Sequence, residues 1–284
     1  MIYVLLGVLA LYLGACYRLA LAYIHPDRLT VTCPPTLTTV LMPSRYGPTP
    51  SWETHGLASG RPSKVVFVLV HGYGGSRESW STVMTDLFSK GFDSVAPSMP
   101  GQDASPAKSV GFGISESHTI VDAVKWVRSV APASKVIVFG MSMGGGATWI
   151  ATKEDPTIDG VVTDSAFARF DEAMNCFFDR KLPLGHIFLS PVVTIASWMT
   201  KLDPSTVRPV DEAKLWHGKP ALIIQGGADT LVTPDQGERL AEAAGCPMWT
   251  VSGAEHVQSY SEQPVAYLEH LVAFAHSLEG RSRH

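Results

Sequence analysis

The pattern of apolar and polar positions divides the chain into three unequal parts. Ile2 to Tyr17 is an unbroken run of apolar or small residues; Arg18 interrupts it, and Leu19 to Ile24 resume it. As a helix this segment spans about 34 Å at ~1.5 Å per residue, enough to cross a bilayer. His25 to Ser63 is rich in Pro, Thr and Gly and reads as a linker with short strands over Thr36–Met42 and Trp52–Leu57. From Lys64 onward, short apolar runs alternate with stretches of helical periodicity. The predicted organisation is therefore a hydrophobic anchor or signal segment over 1–25, a linker with the first strands over 26–63, and a main domain over 64–284.

Within the main domain, Val65–Val70 is a continuous apolar run, the mark of a strand buried on both faces. Phe92–Ala96, Val136–Phe139, Gly160–Thr163, Ala221–Ile224 and Met248–Val251 read as further strands. Between them, Glu78–Ser89, Ser117–Val130, Asp235–Ala244 and Pro264–Leu278 read as helices; the last puts Val265, Leu268, Leu271, Val272 and Ala275 on one face. This alternation predicts an α/β fold with a mainly parallel, doubly wound sheet. Ligands then bind beyond the carboxyl ends of the strands. One stretch, about 166–217, shows no strand and is rich in Phe, Met and Trp; it is expected to be a helical cap insertion, as an apolar lid or as packing for crossover helices.

Three readings of the N-terminus stay open. A retained membrane anchor through residues 2–24 is the principal one. A cleaved signal peptide is opposed by the lack of a basic region before the apolar run. The tetrad Leu13-Gly14-Ala15-Cys16 resembles a lipobox, which would make Cys16 a lipidated terminus, but the following residues stay apolar. Arg18, Arg28 and Arg45 on the C-terminal side favour a cytoplasmic domain by the positive-inside rule.

Composition narrows the classes further. The 22 basic and 26 acidic residues leave a net charge of −4, and no basic run is present, so nucleic acid is not an expected partner. Charged residues make up only 17% of the chain against 45% hydrophobic, which points to a membrane segment or a large core. Cys16, Cys33, Cys176 and Cys246 are scattered without a CxxC pair, so neither a zinc site nor a disulfide framework is expected. No HExxH or GxxxxGK[ST] motif occurs, and the expectation is no metal and no cofactor.

The strongest chemical signal is Gly140-Met141-Ser142-Met143-Gly144, a G-x-S-x-G pentad between a predicted strand and a predicted helix. Such a tight turn lifts a serine hydroxyl above the sheet, and glycine two positions either side avoids collision with backbone. Ser142 is thus the candidate nucleophile. A serine needs a base, and the base needs a partner to fix its tautomer. Of the ten histidines, only His256 follows a late strand in a short polar loop, and it is the candidate base. Asp229, in the Gly-rich loop after Ala221–Ile224, is the candidate acid; Asp164, directly after Gly160–Thr163, is its rival. The oxyanion hole is assigned to the backbone N–H groups of Met143 and Tyr73, with Gly74 as the alternative in the loop His71-Gly72-Tyr73-Gly74-Gly75. His71 is read as a structural support for that loop.

With these residues assembled, the chain resembles the α/β-hydrolase superfamily, and within it the serine-aminopeptidase-like and Bem46-like branch. The resemblance rests on His71–Arg77, Gly111–Glu116, Gly140–Gly146, Asp164–Phe167, Gly226–Asp229 and Gly253–His256. It implies an N-terminal membrane anchor and leaves the substrate undefined. A departure lies at Ser98–Ser105, where relatives usually carry an Asp and a His in an Asp-x-Arg/Pro-Gly-His-Gly-x-Ser run, and this chain has Ser98 and Gln102. The expected function is a serine hydrolase of acyl (ester) bonds, a carboxylesterase for hydrophobic or lipid-like acyl substrates. Aminopeptidase or acyltransferase activity on the same triad is the alternative, and a non-catalytic membrane-anchored binding protein is the reading from a different class.

Overall fold

The fold is described from a computed structural model, which covers residues 1–280. The chain opens on helix α1 (Ile2–Ile24), then runs β1 (Thr38–Met42), β2 (Thr49–Glu53), the single turn α2 (His55–Ala58), β3 (Val65–Val70), α3 (Ser81–Ser89), β4 (Asp93–Pro97), α4 (Ile114–Val130), β5 (Lys135–Met141), α5 (Met143–Glu154) and β6 (Gly160–Asp164). Four helices follow, α6 (Phe170–Asp179), α7 (Gly185–Phe188), α8 (Ser190–Thr200) and α9 (Pro209–Leu215). The chain closes with β7 (Ala221–Gly226), α10 (Pro234–Ala244), β8 (Met248–Val251), α11 (Ser259–Glu262) and α12 (Pro264–Glu279).

The strands form one eight-stranded sheet in the order β1-β2-β4-β3-β5-β6-β7-β8. The pairs β1–β2 and β2–β4 are antiparallel, and every other pair is parallel. Central strand β3 shows why its six apolar residues are needed. Val66, Val68 and Val70 enter one core with Val124 of α4, Trp149 of α5 and Leu240 of α10. Val65, Phe67 and Leu69 enter a second core with Leu87 of α3 and Leu271 of α12. Each such side chain contributes about 1.5–3 kcal/mol when fully buried, so a polar residue at any of the six is excluded.

The insertion divides in two. Phe170, Met174 and Phe178 of α6 and Val192 and Ala196 of α8 form a third cluster with Cys16, Ala20 and Ile24 of α1. Ala213 of α9 and the adjacent Trp216 instead join the sheet core. Within 166–217, α6 and α8 thus pack with α1, and α9 packs on the sheet.

Element boundaries depart from expectation by three residues or more in three places, each for a local reason. The strand expected over Trp52–Leu57 lies at Thr49–Glu53 and is followed by a helical turn. There Thr54 Oγ1 donates to Asp93 Oδ1 at 2.6 Å, and Gly56 packs so closely on that carboxylate that a Cβ would lie 2.3 Å from it. Helix α3 starts at Ser81 because a 3₁₀ turn, Arg77–Trp80, capped by Ser76, occupies the residues before it. Helix α4 starts at Ile114, three residues early, because the Glu116 carboxylate accepts from the N–H groups of Gly111 and Gly113 at 3.0 and 2.7 Å. This satisfies donors that a helix start leaves orphaned.

The first helix, α1, is apolar and long enough to cross a membrane by length and composition. Its first turns are exposed, while Cys16, Ala20 and Ile24 near its end are buried.

Candidate active site

Ser142 stands at the junction of β5 and α5 with φ 51° and ψ −121°, a strained conformation for a residue with a side chain. The surroundings enforce it. A Cβ on Gly140 would lie 2.2 Å from Gly144 O, and a Cβ on Gly144 would lie 2.5 Å from Val70 O. Both pentad glycines are therefore steric requirements. The Ser142 N–H donates to Asp164 O at 2.9 Å, and Gly146 N–H donates to Ser142 O at 3.1 Å, which ties the turn to β6 and α5.

The loop after β8 brings His256 to this serine from 114 positions away. His256 Nε2 lies 2.8 Å from Ser142 Oγ, and its Nδ1 lies 2.7 Å from Asp229 Oδ2. The other Asp229 oxygen accepts from the Leu231 and Val232 N–H groups, both at 2.9 Å. Asp229 is thereby fixed in place, an acceptor for Nδ1–H. That choice of tautomer leaves Nε2 free to accept the serine proton. The Asp229 side chain is fully buried and that of His256 is 17% exposed, so the carboxylate is sheltered while the imidazole reaches the cavity.

The loop after β3 lies against Ser142: a Cβ on Gly72 would stand 3.2 Å from Ser142 Cβ. Met143 is the first residue of α5, where N–H groups lack intrahelical acceptors. In the facing loop, Gly74 N–H donates to Gln102 Oε1 and Gly75 N–H to Gly72 O. The alternative donor, Gly74, is therefore already committed, which favours Tyr73 as the partner of Met143. His71 is fully buried; its Nδ1–H donates to Gly72 O at 2.9 Å and its Nε2 accepts Met99 N–H at 3.2 Å. Burial pushes its pKa down, and this neutral tautomer holds the loop.

The contacts of two supporting side chains were not legible in the sequence. Gln102 is the side chain that engages Gly74 N–H. The neighbouring Asp103 pairs with Arg77 Nε at 2.7 Å in a buried salt bridge and also accepts from Ser98 Oγ at 3.0 Å. The departure in the Ser98–Ser105 run is thus wired directly into the loop carrying Tyr73.

Asp164, the rival acid, points to different partners. It accepts from Ser165 Oγ and Ser259 Oγ and from Tyr267 OH, all at 3.0 Å. Burial raises its pKa to about 6 against these three donors. Ser165 Oγ also accepts from Val257 N–H at 3.2 Å, so the cluster braces the residue after His256.

Beside Ser142 and His256 lies a cavity of about 200 Å³. Phe167, Phe170, Met174, Phe177, Leu231 and Val232 give it an apolar lining, with Tyr73 and Met143 next to the nucleophile. Tyr23 of α1 completes the wall, a contribution that periodicity in an apolar helix does not reveal. Among the described residues, no group of three or more His, Cys, Asp or Glu is arranged to hold a metal.

A family model described as the alpha/beta hydrolase fold matches residues 65–200. The chain has the α/β-hydrolase fold. Among solved structures, an esterase of Pyrococcus furiosus is similar to this chain with a TM-score of 0.74 at 20% identity, covering 91% of this chain and 99% of the other. A predicted CIB-like hydrolase of Thermoplasma acidophilum gives 0.56 at 19% identity, covering 85% and 99%. An acylaminoacyl peptidase of Pyrococcus horikoshii gives 0.62 at 16% identity, covering 87% of this chain and 42% of the peptidase. Comparison with curated proteins gives no match. At such identities the likeness is one of fold, shared by esterase and peptidase alike.

Proposed function

We propose that this α/β-hydrolase is a serine hydrolase of acyl esters, a carboxylesterase with a hydrophobic acyl group. The observation that carries the reading is the continuous hydrogen-bonded chain Ser142–His256–Asp229 beside an apolar cavity. Ser142 Oγ attacks the ester carbonyl carbon while His256 Nε2 takes the hydroxyl proton. The carbonyl oxygen becomes an oxyanion that accepts from the Met143 and Tyr73 N–H groups, each worth about 3–4 kcal/mol in the transition state. The tetrahedral intermediate collapses, the C–O bond to the alcohol breaks, and His256 returns its proton to the departing alkoxide. The acyl group is then an ester of Ser142. Water attacks it, again giving a proton to His256, and the acid leaves as Ser142 recovers its proton. Asp229 holds the imidazole in position and stabilises the imidazolium throughout.

The cavity size supports a slim acyl arm. Its volume of about 200 Å³ is below the ~300–1,000 Å³ of pockets that enclose drug-sized ligands. The apolar α1, exposed along its first turns, supports a membrane-associated enzyme, held by a single N-terminal anchor. Peptidase and acyltransferase reactions use the same acyl-serine intermediate. Purified full-length protein should label covalently with a fluorophosphonate at Ser142 and hydrolyse p-nitrophenyl esters faster than aminoacyl anilides. No labelling of the wild type, or equal labelling of Ser142→Ala, sinks the serine-hydrolase reading. Faster anilide cleavage replaces esterase with peptidase.

A further inference from the structure

The final turns of α1 are built into the site. Tyr23 lines the cavity that holds Ser142 and His256. Its ring stacks on Tyr73 with centroids 4.9 Å apart and planes 16° apart, and on Phe112 at 6.0 Å and 18°. Phe177 of the cap lies against it at 6.4 Å. The Tyr23 backbone carbonyl accepts from Tyr73 OH at 3.0 Å, and the Tyr23 hydroxyl reaches Met174 Sδ at 3.3 Å. Tyr73 therefore meets α1 twice, by its ring and by its hydroxyl, while its own backbone belongs to the oxyanion loop.

The residues that follow pin the helix end in place. Val110 N–H donates to Ile24 O at 2.9 Å, His25 Nδ1 lies 3.0 Å from Lys108 O, and the Arg28 guanidinium donates to Ser105 O and Ala107 O at 2.5 and 2.6 Å. Ala20 and Ile24 are buried in the cap cluster. An anchor that merely tethered a catalytic domain would need none of these contacts. A stacked aromatic pair adds about 0.5–1.5 kcal/mol beyond burial, so the helix end has a defined seat.

We propose that Tyr23 is a specificity and positioning residue: its ring ends the acyl cavity and so sets the acyl chain length accepted, and its hold on Tyr73 keeps the oxyanion loop in register with Ser142. The helix is then a retained working part of the enzyme. This rests on the serine-hydrolase reading above. Removing the ring lengthens the cavity and loosens Tyr73; enlarging it shortens the cavity.

The test uses full-length protein in its membrane fraction, with p-nitrophenyl esters of two to twelve carbons and active sites counted by fluorophosphonate labelling. Tyr23→Ala is expected to shift the preferred chain by two or more carbons toward longer esters, with KM falling for long chains and kcat dropping about tenfold on short ones. Tyr23→Trp is expected to shift preference toward shorter chains, and Tyr23→Phe to restore the profile lost in Tyr23→Ala. Labelled variants whose chain-length profile and kcat match the wild type overturn the proposal, as does a shift in the same direction for Ala and Trp. If the wild type takes no fluorophosphonate at all, the serine-hydrolase reading itself has failed, an outcome distinct from either. Should Tyr23→Ala not accumulate as folded protein, the separate effects expected of Tyr23→Trp and Tyr73→Phe, shorter chains in the first and lower kcat at unchanged chain preference in the second, decide the matter alone.

Discussion

Two neighbouring strand ends present a buried aspartate close to the same histidine, and only one of them touches it. Asp229, after β7, gives one oxygen to His256 Nδ1 and the other to two backbone N–H groups. Asp164, at the end of β6, spends both oxygens on hydroxyls. Backbone amides and an imidazole N–H stabilise a carboxylate that works as an acid-base partner. Hydroxyls inside a desolvated pocket do so less completely, and burial raises Asp164 to about 6. The lesson is that a carboxylate at the carboxyl edge of the sheet is assigned its role by what it faces, since strand position alone leaves Asp164 a rival to Asp229.

The sharpest way to break this contrast is at the serine and histidine that both carboxylates surround. Ser142→Ala and His256→Ala are each expected to cut kcat on a p-nitrophenyl ester by about 10⁶-fold, measured on folded protein of unchanged circular dichroism. Next, Asp229→Asn is expected to cost about 10⁴-fold by presenting the wrong donor to Nδ1, whereas Asp164→Asn should cost less than ~10-fold because its contact with the imidazole is indirect. A larger loss for Asp164→Asn than for Asp229→Asn would transfer the acid role to β6.

Asp164 also makes a stability prediction. Its folded pKa of about 6 lies above the usual value of 3.8. Between those two values the folded protein holds a proton that the unfolded chain has released. The stabilisation is complete below pH 3.8, falls as pH rises, and is lost once pH passes 6. The shift corresponds to about 3 kcal/mol, and denaturant midpoints measured across this window should show the decline, superposed on the other carboxylates. Asp164→Asn should flatten it. The smallest effect is expected from Tyr267→Phe. It removes one of the three donors to Asp164, raises that pKa further, and should cost about 1.5–3 kcal/mol at pH 8 while leaving kcat nearly unchanged.

The legible and illegible parts of the chain separate along the same physical line. Val65–Val70 and Met248–Val251 were bounded correctly from sequence because each is flanked by residues that do not suit a buried strand. The order of Ser142, Asp229 and His256 was readable because each follows a strand in a loop whose small residues permit close approach. Boundaries failed where the hydrogen bonds of one carboxylate set them, as Asp93 of β4 does for the turn after β2 and Glu116, within α4, does for the start of its own helix. The insertion failed to resolve for the same reason: Phe170 of α6 and Trp216 after α9 look alike in hydropathy, yet one packs in the cap and the other in the sheet core.

Local stereochemistry and period therefore determined, from sequence alone, the alternating strands and helices, the strained glycine-flanked turn at Ser142 and the apolar character of α1. Only the tertiary structure decided that Asp229 faces the imidazole while Asp164 faces hydroxyls, that Gln102 occupies Gly74 N–H, and that Tyr23 reaches across to Tyr73. Each of these joins groups far apart along the chain, and their meeting depends on how helices dock on the sheet, for which one-dimensional periodicity carries a face but no partner.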